Sequence, residues 1–358
     1  MKYTIITKNS FLKPFVGFGD FMKGWKLVKP FSLKEQEIPE KGDSLKTKVK
    51  ITKALISLSD VLRFMGEIPV KEVVLGSYGV GIVSETQSNF FGFEKGNRVY
   101  VESYNPCYNC FNCVSGEPDK CSDLLTAGED YDGFLSDFVE VNHEKIFLLP
   151  ESVSDFDALF IGHISLAVSI VDKLGIEKGE YVAIVGTNNC SLILAQLLIY
   201  YQAVPIVMGV EEPEIEAAKA AGIYYVFGPN DNWNKEVSAI TGGRMTKNVV
   251  YFSDENTPVV KAFSVASYGA SLVFAGVSYK NNPIAFSQAI KKQLNIYCIN
   301  ESAGNTETSI NLLANKAVNL SHLKINTAKY DKVPEVFLSL KESLETTDDI
   351  TETVIESV

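Results

Sequence analysis

The feature that most constrains the fold is a regular alternation that begins at Tyr181. From there, short apolar runs typical of buried strands alternate with segments typical of helices, such as 191–201 and 212–221. Apolar strands separated by helices favour a parallel sheet covered on both faces, and right-handed crossovers make such a sheet doubly wound. The predicted strands span 181–185, 205–208, 224–227, 248–252, 271–275 and 295–299.

The first 150 residues follow a different pattern, with many glycines and prolines between short β-rich runs. No long helical pattern interrupts these runs, which indicates an irregular β-domain. After about residue 300 the alternation stops, and helices are predicted at 306–315 and 334–344 before a last strand at 353–358. The β-rich runs lie at 48–51, 80–84, 98–102 and 134–141.

Length and charge limit the classes of protein and partner. With 358 residues and 46% hydrophobic content, the chain fits two domains that each bury a core. Its formal net charge of -11 repels phosphate backbones, so we expect no nucleic-acid partner. An acidic run near the end is interpreted as a solvated face; its members are Glu342, Glu345, Asp348, Asp349, Glu352 and Glu356.

Nothing in the sequence indicates a membrane or secreted protein. No apolar run reaches the roughly 18 residues needed to cross a bilayer. Residues 1–6 are apolar, but the segment is short and lacks the small residues of a secretory cleavage site. We therefore expect a soluble, cytoplasmic protein with no membrane partner.

Four cysteines form the most specific motif of the chain. Cys107, Cys110, Cys113 and Cys121 follow the spacing Cys-x2-Cys-x2-Cys-x7-Cys. In a cytosolic chain such a cluster indicates a metal site rather than a disulfide framework. Four thiolates bind zinc tetrahedrally, and closed sites of this kind are structural. We predict one structural zinc per chain; four free surface cysteines and an iron–sulfur cluster are the alternatives.

This spacing resembles the structural-zinc lobe of the medium-chain dehydrogenase/reductase family, the zinc-type alcohol dehydrogenases. Gly96-Asn97-Arg98-Val99, Asp132-Gly133-Phe134 and Gly179-Glu180-Tyr181-Val182 are similar to the segments that surround the lobe and open the cofactor domain. The resemblance implies a GroES-like β-rich domain at 1–155 and 300–358, with a structural zinc lobe. It also implies a Rossmann-type domain at 156–299, a small-molecule substrate and a homo-oligomer, dimer or tetramer.

The positions of the family's catalytic zinc ligands hold other residues. Ser57-Leu58-Ser59-Asp60 stands where the family has Cys-Gly-Ser/Thr-Asp, and Gly76-Ser77-Tyr78 stands where it has Gly-His-Glu. The third ligand position is Gly162, or His163 if the alignment shifts by one residue. Serine hydroxyls are poor zinc ligands, so we predict that no catalytic zinc binds. For His163 we favour a satisfied buried histidine over a functional one.

Two residues at these positions are candidates for proton transfer. Ser59 and the neighbouring Asp60 match the family's hydroxyl relay, although a turn cap explains them equally well. Tyr78 is a phenol that could act as a general acid. The alternative is that Tyr78 only fills the gap left by the metal, and the sequence does not decide between the two.

The dinucleotide fingerprint is incomplete. A Gly-x-Gly-x-x-Gly loop binds pyrophosphate at a helix start, but 186–191 reads Gly186-Thr187-Asn188-Asn189-Cys190-Ser191. Gly186 keeps the turn, Asn188 occupies space where pyrophosphate would lie, and Ser191 is small enough for packing. Gly209 replaces the acidic residue that binds the ribose hydroxyls of NAD, and Glu211 and Glu212 follow instead of a cation. Gly276 resembles the family's nicotinamide-side turn.

Two functions remain open at this point. The first is an oxidoreductase without catalytic zinc that uses NAD(P)H, bound weakly, to reduce an activated carbonyl- or enone-type substrate. The second is a degenerate, non-catalytic family member that keeps the fold for binding or assembly.

Overall fold

The computed structural model describes residues 21–39, 46–86, 92–252, 259–277, 286–300, 304–347 and 349–356. Residues 1–6, Asp348 and the last two residues of the predicted final strand lie outside this range. Within the described residues, no helix combines the length and apolar character that a membrane crossing requires.

The first part of the chain is rich in short antiparallel strands. In β3, side chains alternate between buried and more accessible positions, as expected for a strand that covers a core with one face. The elements are β1 (Phe21–Lys29), β2 (Ser32–Pro39), β3 (Lys46–Ile56), α1 (Leu58–Met65), β4 (Val73–Val74), β5 (Tyr78–Glu85), β6 (Arg98–Val101), β7 (Tyr104–Asn105), α2 (Phe111–Val114), β8 (Leu125–Thr126), β9 (Phe138–Asn142) and β10 (Ile146–Leu148).

The predicted run 134–141 is a strand only from Phe138 onward. The backbone amides of Phe134 and Leu135 instead donate to the carbonyls of Gly76 and Leu75, in the loop before β5. Phe134 and Leu135 are buried although they are not in a strand. Their apolar character therefore resembles that of the strand that follows, and composition alone does not separate the two.

The second part contains a parallel sheet with helices between its strands. Its elements are α3 (Asp155–Ala158), α4 (Ile161–Leu174), β11 (Tyr181–Val185), α5 (Asn189–Tyr200), β12 (Val204–Met208), α6 (Glu212–Ala220), β13 (Tyr225–Phe227), α7 (Trp233–Ile240), β14 (Thr246–Phe252), α8 (Val259–Val265), β15 (Ala266–Ala275), α9 (Phe286–Lys292) and β16 (Asn295–Ile299).

The strand order of this sheet is β13-β12-β11-β14-β15-β16, and every neighbouring pair is parallel. The order reverses between β11 and β14, and in a doubly wound sheet ligands bind at the carboxyl ends of the strands beside such a reversal. The predicted doubly wound sheet is therefore confirmed, and its crevice lies after Val185.

The end of the chain returns to the first sheet. The last elements are α10 (Thr306–Ala314), β17 (Asn326–Lys329), α11 (Val333–Thr347) and β18 (Thr353–Glu356). β18 pairs with β3, which gives a sheet of order β10-β6-β5-β3-β18-β17 with β9 also paired to β3. The long helix α4 packs between the two sheets, in a buried cluster shared with Tyr78.

Candidate functional site

The four motif cysteines converge in a lobe formed by residues 104–126, the cysteine lobe. Their Sγ atoms all lie within 4.8 Å of one another. The sulfur of Cys113 lies 3.5 Å from that of Cys110 and 4.0 Å from that of Cys107, while Cys110 and Cys121 are 3.9 Å apart. A tetrahedral zinc with bonds of about 2.3 Å needs sulfur separations of about 3.8 Å. The donor set therefore fits one zinc.

The cysteine lobe has no hydrophobic core of its own. Neither α2 nor the 3₁₀ turn Pro118–Lys120 contains a buried side chain, and Phe111 is 83% exposed. Backbone amides of Cys107 and Asp123 donate to the Cys121 sulfur at 3.2 and 3.4 Å, the bonding expected around a thiolate. A segment with so little burial needs a cross-link to hold its shape.

A buried carboxylate organises the positions predicted for catalytic ligands. Asp60 Oδ2 accepts hydrogen bonds from the backbone amide and the hydroxyl of Ser57, both at 3.1 Å. Asp60 Oδ1 accepts from the Gly76 amide at 3.1 Å and from the Ser77 hydroxyl at 3.2 Å. Ser59 Oγ lies 2.8 Å from Ser57 Oγ. The serine hydroxyls thus bind a protein carboxylate.

A buried cation completes this network. Arg63 lies one turn after Asp60 on α1, and its Nη1 donates to Ser77 Oγ at 2.7 Å and lies 3.5 Å from Asp60 Oδ1. Its Nη2 is 2.7 Å from the Glu129 carboxylate. Asp60, Ser77 and Arg63 thus satisfy one another in a closed network, which leaves the Ser77 hydroxyl occupied at the position where the family has a metal ligand.

The ring of Tyr78 fills the third ligand position. Tyr78 is 3% exposed, and its ring centroid lies 5.2 Å from that of His163. A Cβ atom placed on Gly162 would lie 2.3 Å from Tyr78 Cε1. Since no side chain at 162 can extend past this ring, the packing supports the space-filling interpretation of Tyr78, while its hydroxyl keeps the chemistry of a phenol.

We expect Gly162→Ala to destabilise the protein by about 1–3 kcal/mol, the usual cost of overpacking a core. In a Tyr78→Leu background the same change should be stabilising by up to about 1 kcal/mol, because alanine is the better helix residue. Denaturant unfolding of the four proteins in this double-mutant cycle measures the coupling. If Gly162→Ala changed the free energy of unfolding equally in both backgrounds, the close approach of the Tyr78 ring to Gly162 would be contradicted.

The predicted cofactor residues gather at one edge of the parallel sheet. Gly186, Gly209 and Gly276 directly follow β11, β12 and β15, and each has a positive φ. Asn188 and Ser191 lie at the start of α5. This placement is where a doubly wound fold binds a dinucleotide, although the side chains at the helix start differ from those of an open phosphate site.

The start of α5 is capped by its own side chains. Asn188 Oδ1 accepts from the Ser191 amide at 2.9 Å, and Ser191 Oγ accepts from the Asn188 amide at 3.0 Å. This reciprocal capping box satisfies backbone donors that a phosphate would otherwise use. The side chains of the altered fingerprint therefore stabilise the helix at the expense of the phosphate site.

A buried ion pair connects the two predicted sites. His163 Nε2 lies 2.8 Å from Glu352 Oε1, and Glu352 Oε2 accepts from Asn189 Nδ2 at 2.7 Å. The attraction of Glu352 raises the pKa of His163 well above 6.5, although burial alone would lower it. Burial alone would raise the pKa of Glu352, but His163 and Asn189 lower it below 4.5. The contact therefore favours the ion pair over the neutral pair.

Two residues of this region were not predicted from the sequence. The interpretation of the acidic run as a solvated face is wrong for Glu352, whose side chain is only 13% exposed. Its partner His163 is 189 positions away, so no local pattern reveals the pair. Arg63 was also missed, and its i,i+3 spacing to Asp60 was the one available signal.

Comparison with known proteins identifies the family. The family described as "Alcohol dehydrogenase GroES-like domain" matches residues 43–151. An uncharacterized zinc-type alcohol dehydrogenase-like protein from Haemophilus influenzae is 26% identical over 314 residues, which cover 87% of this chain and 92% of the relative. Sorbitol dehydrogenase from Halalkalibacterium halodurans is 26% identical over 307 residues, which cover 82% of this chain and 87% of the relative.

Solved structures share the whole fold. An alcohol dehydrogenase from Escherichia coli CFT073, complexed with NADH, aligns with a TM-score of 0.82 at 22% identity and covers 94% of this chain and 100% of its own. A zinc-binding dehydrogenase from Sinorhizobium meliloti 1021, bound to NADP, aligns with a TM-score of 0.80 at 20% identity. The alignment covers 94% of this chain and 99% of that protein. Motifs, fold and relatives agree in supporting a member of the medium-chain dehydrogenase/reductase family, similar to alcohol- and sorbitol-dehydrogenase-like oxidoreductases.

Proposed function

We propose that this family member works without a catalytic zinc and uses NAD(P)H to reduce an activated carbonyl- or enone-type substrate. The observation that carries the proposal is the network at the ligand positions, where Ser57 and Ser77 bond to Asp60 and Arg63 supplies a fixed positive charge. A guanidinium does not lower the pKa of an alcohol as a bound dication does. The site therefore suits substrates that are already polarised.

One zinc in the cysteine lobe belongs to the same proposal. Its ligands would be Cys107, Cys110, Cys113 and Cys121, whose sulfur atoms have the required spacing. Four thiolates leave no open position for water or substrate. This zinc would therefore stabilise the fold and take no part in the reaction.

Ser59 and Tyr78 are the proton donors that we propose. Ser59 Oγ, Ser57 Oγ and Asp60 Oδ2 form a hydrogen-bonded chain with steps of 2.8 and 3.1 Å, which can pass a proton inward or outward. Tyr78 offers a phenol on the neighbouring strand β5. The bound nicotinamide would supply hydride, and the proton would come from one of these hydroxyls.

The cofactor would lie along Gly186, Asn188, Ser191, Gly209 and Gly276. We expect weak affinity for both dinucleotides with little discrimination, because Gly209 offers no carboxylate to the NADH ribose and Glu211 and Glu212 repel the NADPH phosphate. Titration calorimetry with each dinucleotide measures this. Micromolar or tighter binding of NADPH alone would show that a cation reaches the site.

A matched pair of charge variants tests the role of the two glutamates. Glu211→Gln/Glu212→Gln should tighten NADPH binding several-fold, whereas Glu214→Gln/Glu216→Gln, which removes equal charge on the same helix, should not. An equal response of both variants would indicate a general charge effect.

Dinucleotide oxidation in the presence of enones, quinones and iminium compounds tests the proposed reaction. We expect turnover that falls in Ser59→Ala or Tyr78→Phe, whichever hydroxyl donates the proton, with substrate binding retained. Absence of turnover across the panel would leave the second candidate, a non-catalytic binding or assembly role. The self-capped start of α5 is the specific observation that favours that candidate.

The expected homo-oligomer, dimer or tetramer, stays a prediction. Strand β16 forms one edge of the parallel sheet, and Phe286 and Ile290 of the adjacent helix α9 are exposed. Sedimentation of the full chain measures the assembly directly.

A further inference from the structure

A buried carboxylate is anchored at the helix start where a dinucleotide would place its diphosphate. In a doubly wound sheet the diphosphate lies at the N-terminus of the helix after the first strand, where backbone amides and the helix dipole favour an anion. In this chain that helix is α5, and Asn189 is its first residue. The Glu352 carboxylate accepts a hydrogen bond from Asn189 Nδ2 at 2.7 Å.

Three elements hold Glu352 in this place. It precedes β18, which is paired with β3. His163 of α4 contacts its other oxygen at 2.8 Å. Asn189 Nδ2 also donates a hydrogen bond to the backbone carbonyl of Lys324 at 3.3 Å, which fixes the orientation of its amide. With both oxygens bonded and most of the side chain buried, the carboxylate is a fixed part of the helix start rather than a mobile surface group.

A fixed anion here has a direct consequence for phosphate binding. The dipole of α5 is already opposed by one negative charge, which reduces the attraction for a second anion. A diphosphate at this helix start would add two more charges beside the residue that Glu352 contacts, in surroundings less polar than water, where repulsion is stronger than at the surface. His163 is buried and contacts the other oxygen of Glu352, so the carboxylate is the member of the pair that contacts Asn189, and His163 supplies no free cation for the ligand.

We infer that Glu352 sets the dinucleotide affinity of this chain: it acts as an internal anion at the start of α5 and weakens binding of any ligand that carries a diphosphate. The inference rests on the proposed function, since NAD(P)H is the ligand concerned, but it is a statement about binding and not about turnover. A purely structural His163–Glu352 pair would affect stability and leave ligand affinity unchanged.

The experiment compares two variants that remove the same charge from the same segment. Glu352→Gln keeps the shape of the side chain and can still contact Asn189. Glu356→Gln is the matched control, because Glu356 is 55% exposed and pairs with Lys53. Titration calorimetry of the full chain with NADH, NADPH and ADP-ribose should show tightening of about tenfold or more for Glu352→Gln. Glu356→Gln should stay within about twofold of the wild type.

Adenosine serves as the probe that lacks a diphosphate, and its affinity should not change in either variant. If Glu352→Gln folds poorly because His163 is left charged and unpaired, the double variant His163→Asn/Glu352→Gln removes both charges and should show the same gain. Thermal denaturation of each free variant shows whether its fold is intact before titration.

Equal affinity of Glu352→Gln and Glu356→Gln for ADP-ribose overturns the inference. If the wild type already binds NADH or NADPH tightly and reduces enones, the proposed function stands and only the inference fails. If neither the wild type nor Glu352→Gln binds any dinucleotide, both fail. Tightening of adenosine together with ADP-ribose would also contradict the inference, because it would show a change unrelated to the diphosphate.

Discussion

We expect no measurable oxidation of ethanol or any other primary alcohol by this chain, with NAD⁺ or NADP⁺ and with or without added zinc. Removing hydride from an unactivated alcohol near neutral pH depends on a Lewis acid that lowers the pKa of the hydroxyl. Here Ser57 and Ser77 bond to Asp60, and the Tyr78 ring covers Gly162. The phenol of Tyr78 can donate a proton, but it cannot stabilise an alkoxide as a dication does.

A zinc-dependent sorbitol dehydrogenase assayed under the same conditions is the positive control for this experiment. The double variant Ser57→Cys/Ser77→His restores two of the ligand residue types, and we expect it to remain inactive with alcohols as well. The Tyr78 ring still leaves no room for a ligand at 162 in this variant, so only two of the three protein ligands are restored. Robust, chelator-sensitive oxidation by the wild type would show that Ser57 and Ser77 do not occupy the ligand positions.

The second large effect is expected from Cys110→Ser. Losing one of four thiolates opens the closed site and removes most of its affinity for zinc. Because the cysteine lobe buries no side chain on α2, only the β7–β8 pairing and local hydrogen bonds would remain to hold its shape. We expect a loss of about 2–5 kcal/mol in the free energy of unfolding, comparable to losing a native cross-link, with cofactor affinity nearly unchanged.

Denaturant unfolding and zinc release measure this effect together. Cys298→Ser is the matched control, since Cys298 is an exposed cysteine outside the cluster and surface substitutions usually change stability by less than about 0.5 kcal/mol. Unchanged zinc content and stability in Cys110→Ser would contradict a structural role for the four cysteines.

The sequence predicted the parallel sheet well because its strands are continuous apolar runs. The observed bounds of Tyr181–Val185 and Asn295–Ile299 equal the predicted ones. Helix α4, which carries Gly162 and His163, was not predicted as an element. It is buried over most of its length, so it lacks the one-sided pattern by which a surface helix is recognised.

In the candidate site, too, the residues that form a local sequence pattern were predicted, and those that act through distant partners were not. The four cysteines lie close together in the sequence, and their spacing alone indicates a common metal. Arg63 and Glu352 act through partners brought near by the fold: Arg63 contacts Ser77 and Glu129, and Glu352 contacts His163. Whether a charged side chain is buried or solvated depends on such partners. A local sequence pattern does not show them when they lie far away in the chain. Sequence alone therefore indicated the missing ligands but not the network that replaces them.

The metal content of the purified full chain tests the central claim most directly. The account predicts about one zinc per chain, lost in Cys110→Ser and retained in Ser57→Ala/Ser77→Ala. Two zinc ions per chain, with one of them lost in the serine variant, would contradict the claim that a hydroxyl, carboxylate and guanidinium network stands in place of the catalytic metal.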